Sequence, residues 1–273
     1  MRRALVEDRA CEDVTTRLLG VTGDRIATAH FVAEGRFVVA GVPIMALVYR
    51  ELDAQVLLTH AVGEGAWVDG GAALATARGR ARALLAGERV ALNFLQRLSG
   101  IATRTRRAVE AVAGTGARIT HTRKTTPGLR ALECYAVRTG GGVDNRGSLA
   151  EAVMWKDNHW ALLDARGPRL AQVLRDVPHG LPVVVEVETE EQLEEALAAG
   201  ATRLLADNQP PDRIGAWRHQ AGPGVTIQAS GGITPDDARA YAEAGADLIA
   251  IGALTHSVGA APIRCDVTFT GRA

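Results

Sequence analysis

The chain has 273 residues, 47% of them apolar and 23% charged, and its 31 Lys and Arg balance 31 Asp and Glu to a formal charge of zero. That length can bury a substantial core as one large or two modest domains, while the neutral balance argues against general nucleic-acid binding, which needs a broad basic surface. Cys11, Cys134 and Cys265 stand far apart with no Cys-x-x-Cys, so a disulfide framework or structural zinc site is not expected and a reducing compartment fits.

The N-terminus turns acidic at Glu7-Asp8 before any signal-peptide core forms, and no apolar run approaches membrane-spanning length. A cytoplasmic protein without membrane contact is expected. Residues 25–85 are punctuated by glycine, with strand-like Phe37-Val38-Val39-Ala40 and Val56-Leu57-Leu58-Thr59 and a helix-like piece from Met45 to Leu52. These read as a small α+β domain. From Glu88 to Val112, Val90, Phe94, Leu98, Ile101, Val109 and Val112 recur at near-helical spacing, with a break expected at Ser99-Gly100.

After the apolar run Ala117-Arg118-Ile119 comes the most charged stretch. Arg123, Lys124, Arg130, Arg138 and Arg146 face only Glu133 and Asp144 as acids, and Pro127-Gly128 and Gly140-Gly141-Gly142 interrupt them. Guanidinium forks match carboxylates and phosphates, and glycine lets backbone N–H groups approach an anion, so the stretch predicts a pocket for a small polyanion. A solvated basic loop is the plainer reading. Against it stand Lys156-Asp157-Asn158-His159 after the apolar run Ala152-Val153-Met154-Trp155, then Glu186 and Glu188, then Asp207-Asn208.

The C-terminal half repeats a theme. Leu181 to Glu188 reads as a buried strand, Thr189 as a helix cap with Gln192 completing a capping box, Leu193, Ala196 and Leu197 as the buried stripe, and Gly200 as the stop. The strand Arg203–Asp207 follows. The theme returns as the strand Val225–Ala229, a cap at Thr234 with Pro235 at the first helical position, Tyr241 and Ala242 facing inward, Gly245, and the strand Leu248–Ile251. Polar or glycine residues sit just past each apolar run: Arg123-Lys124, Lys156, Glu186, Asp207, Ser230-Gly231-Gly232 and Gly252. In a parallel β/α barrel those strand ends form the active-site face. No Ser-His-Asp or Cys-His constellation stands out.

Several blocks together resemble the quinolinate phosphoribosyltransferase family, whose members are carboxylating nicotinate-nucleotide pyrophosphorylases. They are Glu88-Arg89 with Leu92 to Thr103, the run Thr122 to Arg130, Lys156 to His159 and Ser230 to Ile233. The likeness extends from Glu7-Asp8 and Asp13-Val14-Thr15-Thr16 to Gly252–Ser257. It implies an α/β fold: a smaller N-terminal α+β domain (1–105), an incomplete β/α barrel (106–254) and a C-terminal tail (255–273) that returns to the first domain.

The resemblance also implies a reaction. The phosphoribosyl group of phosphoribosyl pyrophosphate passes to the ring nitrogen of quinolinate, and loss of a carboxylate gives nicotinate mononucleotide, pyrophosphate and CO2. By position, Lys124, Lys156, Glu186 and Asp207 are implied to be catalytic. Arg123, Lys124, Arg146 and Lys156 would clamp the dicarboxylate and phosphates. Glu186 and Asp207 would hold the ribose and Mg²⁺ end of the donor. Ser230, Gly231 and Gly232, with Gly252 and Ala253, would cradle the 5′-phosphate. Arg89 lies in the block that supplies an arginine across a homodimer interface. His256 matches a position near the donor phosphates, or plays a structural part beside a helix start.

The chain departs from the family pattern at Asn145, where histidine is usual, and at His121, Cys134 and Gln228, where aspartate, lysine and glutamate are usual. His121 is expected to supply the imidazole lost at Asn145, so both count as candidate substrate contacts. These changes keep open a paralogue acting on another pyridine or aromatic carboxylic acid. A catalytically silent member is a further alternative, weakened by the intact polar set. A flavin or phosphate barrel of unrelated chemistry would rest on Ser230-Gly231-Gly232 and Gly252 alone.

Overall fold

A computed structural model describes residues 1–162 and 169–269; the end of the tail expected at 255–273, residues 270–273, lies outside them. The chain divides into two compact units, Met1–Thr103 with the segment from Val258 onward, and Arg104–Ser257.

The first unit contains α1 (Arg2–Glu7), α2 (Val14–Arg17), β1 (Ile26–Ala33), β2 (Phe37–Val38), α3 (Val42–Leu52), β3 (Leu57–His60), β4 (Trp67–Val68), β5 (Ala73–Arg80) and the start of α4 (Ala81–Ala111). The Asp13-Val14-Thr15-Thr16 block is a helix cap: the Asp13 carboxylate accepts from the N–H groups of Thr15 and Thr16 at 2.9 and 3.1 Å. The Thr16 hydroxyl, followed by its N–H, holds that carboxyl below its ordinary range. Asp13 therefore stabilises the first turn from outside the core.

Strands β1 and β5 are eight residues each and pair with one another, yet nothing in the sequence reading picks them out. Their buried faces are built from small residues, Ala27, Ala29, Ala33, Ala75 and Ala77, around Phe31 and Leu74. Alanine carries little β-propensity, so the alternation is faint in the sequence. The expected break at Ser99-Gly100 is absent, and α4 is continuous. Gly100 is there for close approach: a Cβ would meet the carbonyl oxygen of Gly259 at 2.1 Å. Its helical cost of about 1 kcal/mol relative to alanine is offset by that packing. Ser99, fully buried, accepts from Ala40 N–H at 3.0 Å.

The second unit runs β6 (Arg118–Thr120), α5 (Arg130–Thr139), β7 (Val153–Trp155), α6 (Asp157–Trp160), α7 (Leu170–Arg175), β8 (Val183–Val187), α8 (Glu190–Ala198), β9 (Arg203–Asp207), α9 (Pro211–Ala221), β10 (Thr226–Ser230), α10 (Ala238–Glu243), β11 (Leu248–Ala250) and α11 (Ala253–His256). Its six strands pair in parallel in the order β6-β11-β10-β9-β8-β7. Among the described residues β6 and β7 end this series of strands, with Val143 alone bridging β6 at Thr120, so the barrel is incomplete. Beyond it, β12 (Ile263–Phe269) pairs antiparallel with β1, returning the tail to the first unit's sheet, ordered β12-β1-β5-β3.

The capping box at α8 forms as expected, Thr189 Oγ1 accepting from Gln192 N–H and Gln192 Oε1 from Thr189 N–H, each at 3.3 Å. Leu193 and Ala196 are buried, Leu197 half-buried, and Gly200 ends the helix at φ +81°. The second cap differs. Thr234 opens a turn rather than a helix, its hydroxyl donating to Asp237 Oδ2 at 2.6 Å, and α10 begins only at Ala238. Asp237, three residues on, competes for Thr234 and closes a local turn before the helix can start.

Candidate active site

Side chains two apart on a strand share a face. The parallel register sets Glu186 beside Leu205 and Asp207 beside Ser230, so Glu186, Glu188, Asp207 and Ser230 share one face, and Lys156 and Gly252 follow the ends of β7 and β11. Lys156 Nζ donates to Glu186 Oε2 in a short ion pair, with the glutamate side chain 4% and the lysine 40% exposed. Glu186 Oε1 also accepts from Asp157 N–H at 3.3 Å, and its carbonyl accepts from Trp160 Nε1 at 2.7 Å. His159 is scaffolding, its Nδ1 accepting from Lys156 N–H at 3.0 Å. Glu186, Glu188 and Asp207 each place a carboxylate oxygen within 4.8 Å of the others'. Three carboxylates so close repel, and Lys156 offsets only one of them. A hard divalent cation taking oxygen ligands suits that donor set.

Two residues that the motifs did not point to hold this cluster. Gln209, 7% exposed, donates through Nε2 to the carbonyls of Asp207 at 2.7 Å and Glu188 at 3.1 Å, tying the ends of β8 and β9. Trp160, at the end of α6, fixes the Glu186 carbonyl. Buried amide and indole groups of this kind leave no periodic trace in a sequence.

The cationic stretch divides into two roles. Arg130 donates to Thr125 Oγ1 and to the Gly147 carbonyl at 3.1 and 2.9 Å, and Arg138 donates to Asp144 at 2.8 Å, so both serve the loops around them. Arg123 keeps a buried Nε without a partner among the described residues. Burial first, then the positive charge of Arg123, holds Arg146 below its ordinary range, with Glu186 opposing, so Arg146 feels both charges. Lys124 is exposed, and its side chain passes beside Gly252, as does the His256 ring: a Cβ on Gly252 would meet His256 Nε2 at 3.1 Å and Lys124 Cδ at 3.3 Å. Ala253 opens α11 directly behind them.

The glycine triplet requires a correction. The N–H groups of Gly140, Gly141 and Gly142 bond the carbonyls of Ala136, Arg138 and Val137 at 2.9, 2.9 and 3.0 Å, so they end α5 and face no anion. The glycines at β10 behave otherwise. Gly231, at φ +95°, lies against Asn208, where a Cβ would stand 2.2 Å from Oδ1. Gly232, at φ +63°, opens onto free space.

His121, named as a candidate substrate contact, is engaged within the protein. Its ring is 1% exposed and turned into the protein, Nε2 lying 3.2 Å from Asp144 Oδ1 and 3.3 Å from Asn145 N, and Nδ1 3.7 Å from Cys134 Sγ. Asn145 is equally engaged: Nδ2 donates to the His121 carbonyl at 3.2 Å, and Oδ1 accepts from Arg146 N–H at 2.8 Å. Arg89 is exposed in the first unit, beside a 440 Å³ cavity that it lines with Asp8, Arg9, Asp13 and Arg17.

Two family models divide the chain between them: the N-terminal domain of quinolinate phosphoribosyl transferase matches residues 13–99 and the C-terminal domain residues 101–266. The chain belongs to the quinolinate phosphoribosyl transferase family. It is 40% identical to a probable nicotinate-nucleotide pyrophosphorylase [carboxylating] of Bacillus subtilis over 97% of this chain and 91% of that one. The nicotinate-nucleotide pyrophosphorylase [carboxylating] of Mycobacterium leprae is also 40% identical, over 98% and 95%. The crystal structure of NadC from Streptococcus pyogenes superposes with a TM-score of 0.92 at 34% identity, covering 99% of this chain and 95% of that chain. The family blocks seen in the sequence thus fall on the strand ends and the long helix α4. No helix of the described residues is long and apolar enough to cross a membrane.

Proposed function

We propose that the chain is a carboxylating nicotinate-nucleotide pyrophosphorylase, joining phosphoribosyl pyrophosphate to quinolinate. The observation that carries this is the carboxylate cluster of Glu186, Glu188 and Asp207 at the strand ends, with Lys156 paired to Glu186 and the charges of Arg146 and Arg123 close enough to be felt. Breaking the C1–O bond builds positive charge on the ribose and negative charge on the leaving pyrophosphate, so the site must present both signs at short range. Arg123, Lys124, Arg146 and Lys156 hold the anionic groups of the two substrates. Glu186 and Asp207 orient the ribose end of the donor, and Ser230, Gly231, Gly232, Gly252 and Ala253 receive the 5′-phosphate, with His256 beside it. The pyridine nitrogen is the nucleophile, so no enzyme nucleophile is needed. The two ring carboxylates explain the surplus of cations, and loss of one as CO2 completes the product.

Glu186 and Asp207, joined by Glu188, would hold Mg²⁺, which when bound supplies charge neutralisation for pyrophosphate. The reading is tested with phosphoribosyl pyrophosphate, Mg²⁺ and a panel of pyridine carboxylates, following pyrophosphate release. Quinolinate is expected to be used best, and release to stop in excess chelator. Preference for another acid would overturn the acceptor, and full activity in chelator would overturn the metal.

The active form is a cytoplasmic homodimer in which Arg89 completes the partner's site. Arg89 is exposed, and Val6, Val14, Leu18 and Val21 expose 70%, 72%, 89% and 85% of their surface in the same unit, apolar side chains that a second copy could cover. Mixing inactive Arg89→Ala with inactive Lys156→Ala subunits is expected to restore part of the activity, because a hybrid dimer carries one intact site. No recovery despite demonstrated subunit exchange would count against shared sites.

A further inference from the structure

We propose that His121 and Asn145 are positioning residues that set Arg146 for the acceptor carboxylates, without touching substrate themselves; the inference rests on the function proposed above. Val143 runs beside β6, its N–H bonding the Ile119 carbonyl at 2.8 Å and its carbonyl accepting from Thr120 Oγ1 at 2.8 Å. The next three residues must then turn so that Arg146 reaches the barrel interior. The imidazole holds the first two. In one tautomer Nε2–H donates to Asp144, in the other Nε2 accepts from Asn145 N–H, and both fasten the same segment to the end of β6. The ring itself is anchored at Nδ1 by Cys134. Burial, followed by the nearby Asp144 charge, pushes that thiol up, so it stays an S–H group able to donate to the ring.

Asn145 carries the restraint onward. Its amide donates to the His121 carbonyl while its oxygen accepts from Arg146 N–H, so one side chain links the strand end to the backbone of the arginine. Arg146 Nη1 is fixed from the far side by the Ala152 carbonyl at 3.1 Å. Asp144 is fixed too: burial works against its charge, but the hydrogen bonds from Arg138 and His121 outweigh it and keep the carboxyl below its ordinary range. Asp144 Oδ1 and both ends of the Asn145 amide are thereby engaged within the protein, while Arg146 lines the neighbouring cavity with a full charge to offer an anion. The departures at positions 121, 134 and 145 form one connected unit, in which the histidine, the thiol and the amide support one another.

The test uses the full-length protein with quinolinate and phosphoribosyl pyrophosphate varied separately. His121→Leu and Asn145→Asp are each expected to raise the KM for quinolinate about tenfold, as for a lost hydrogen bond, with the KM for the donor moved less than about twofold. His121→Gln, which can place an amide near the position of Nε2, is expected to restore most of the loss. In an Arg146→Ala background the same changes are expected to add nothing further to the loss of kcat/KM for quinolinate, since they act through that arginine. Additive losses there, or equal rises in both KM values, would overturn the proposal. Absence of quinolinate turnover by the unaltered protein would instead overturn the function on which it rests, which keeps the two failures distinct. Should His121→Leu not fold, Asn145→Asp at its half-buried loop position carries the same comparison.

Discussion

Lys156→Ala is expected to lower stability by about 3 kcal/mol and kcat/KM by at least about a hundredfold. The stability loss follows from Glu186, whose carboxylate is 4% exposed and keeps only the long bond from Asp157 N–H at 3.3 Å once the ammonium is gone. Removing one partner of a buried pair costs about 3–5 kcal/mol where the other charge is left alone; the remaining charge of Arg146 and the 40% exposure of Lys156 put this case at the lower end. Thermal unfolding reads the first loss as a fall of about 6–12 °C in Tm. The two losses have different origins and can be separated. Lys156→Met combined with Glu186→Gln removes both charges at similar volume, so stability is expected to return to within about 1 kcal/mol of the starting value. Activity is not expected to return, because the substrate anions still lack the ammonium and the ribose end of the donor still lacks the carboxylate. A Lys156→Ala protein that keeps its Tm would show that the pair is effectively solvated. One that keeps its turnover would remove Lys156 from the site.

What the sequence makes legible here depends on how chemistry is distributed along the chain. The barrel strands were readable because each is a compact apolar run, as in Val183-Val184-Val185 or Leu204-Leu205-Ala206, followed by a polar residue or a glycine. The parallel architecture adds regular caps, of which Thr189 with Gln192 is the cleanest. Strands β1 and β5 escaped because alanine lines their buried faces. Gly100 misled because a helix-breaking residue and a close-packing residue look the same until the chain that packs on it, at Gly259, is known. Charge counting had a similar limit. Five cations near one another suggested one pocket, whereas Arg130 and Arg138 are consumed by loop carbonyls and Asp144. His121 and Asn145 stood out as departures, and the structure explains why they belong together: they contact each other twice, through ring and carbonyl. Contacts between residues 24 positions apart are a property of the fold, which no local pattern encodes.

Gly231→Ala is expected to abolish use of phosphoribosyl pyrophosphate, while Gly232→Ala remains active. Both glycines have positive φ, +95° and +63°, so each alanine carries a conformational cost of about 1–2 kcal/mol. Space separates them. At Gly232 a Cβ meets nothing within 4 Å, so strain is the whole effect. At Gly231 the Cβ would stand 2.2 Å from Asn208 Oδ1 and 2.5 Å from Asn208 N, and a backbone atom cannot swing aside as a flexible side chain can. Asn208 has little room to yield: its N–H bonds the Ser230 carbonyl at 2.9 Å, its own φ is +54°, and its amide donates to Asp207 Oδ2 at 2.7 Å. Relief of the clash therefore drags Asp207 away from Glu186 and Glu188, and separates β9 from β10 where the 5′-phosphate is received. Steady-state kinetics should place the damage on the donor: KM for phosphoribosyl pyrophosphate rises beyond measurement in Gly231→Ala, whereas quinolinate binding to the donor-free protein, followed by calorimetry, changes little. Equal behaviour of the two alanine variants would mean that Asn208 moves freely, and that the tight seam between β9 and β10 does not set the donor site.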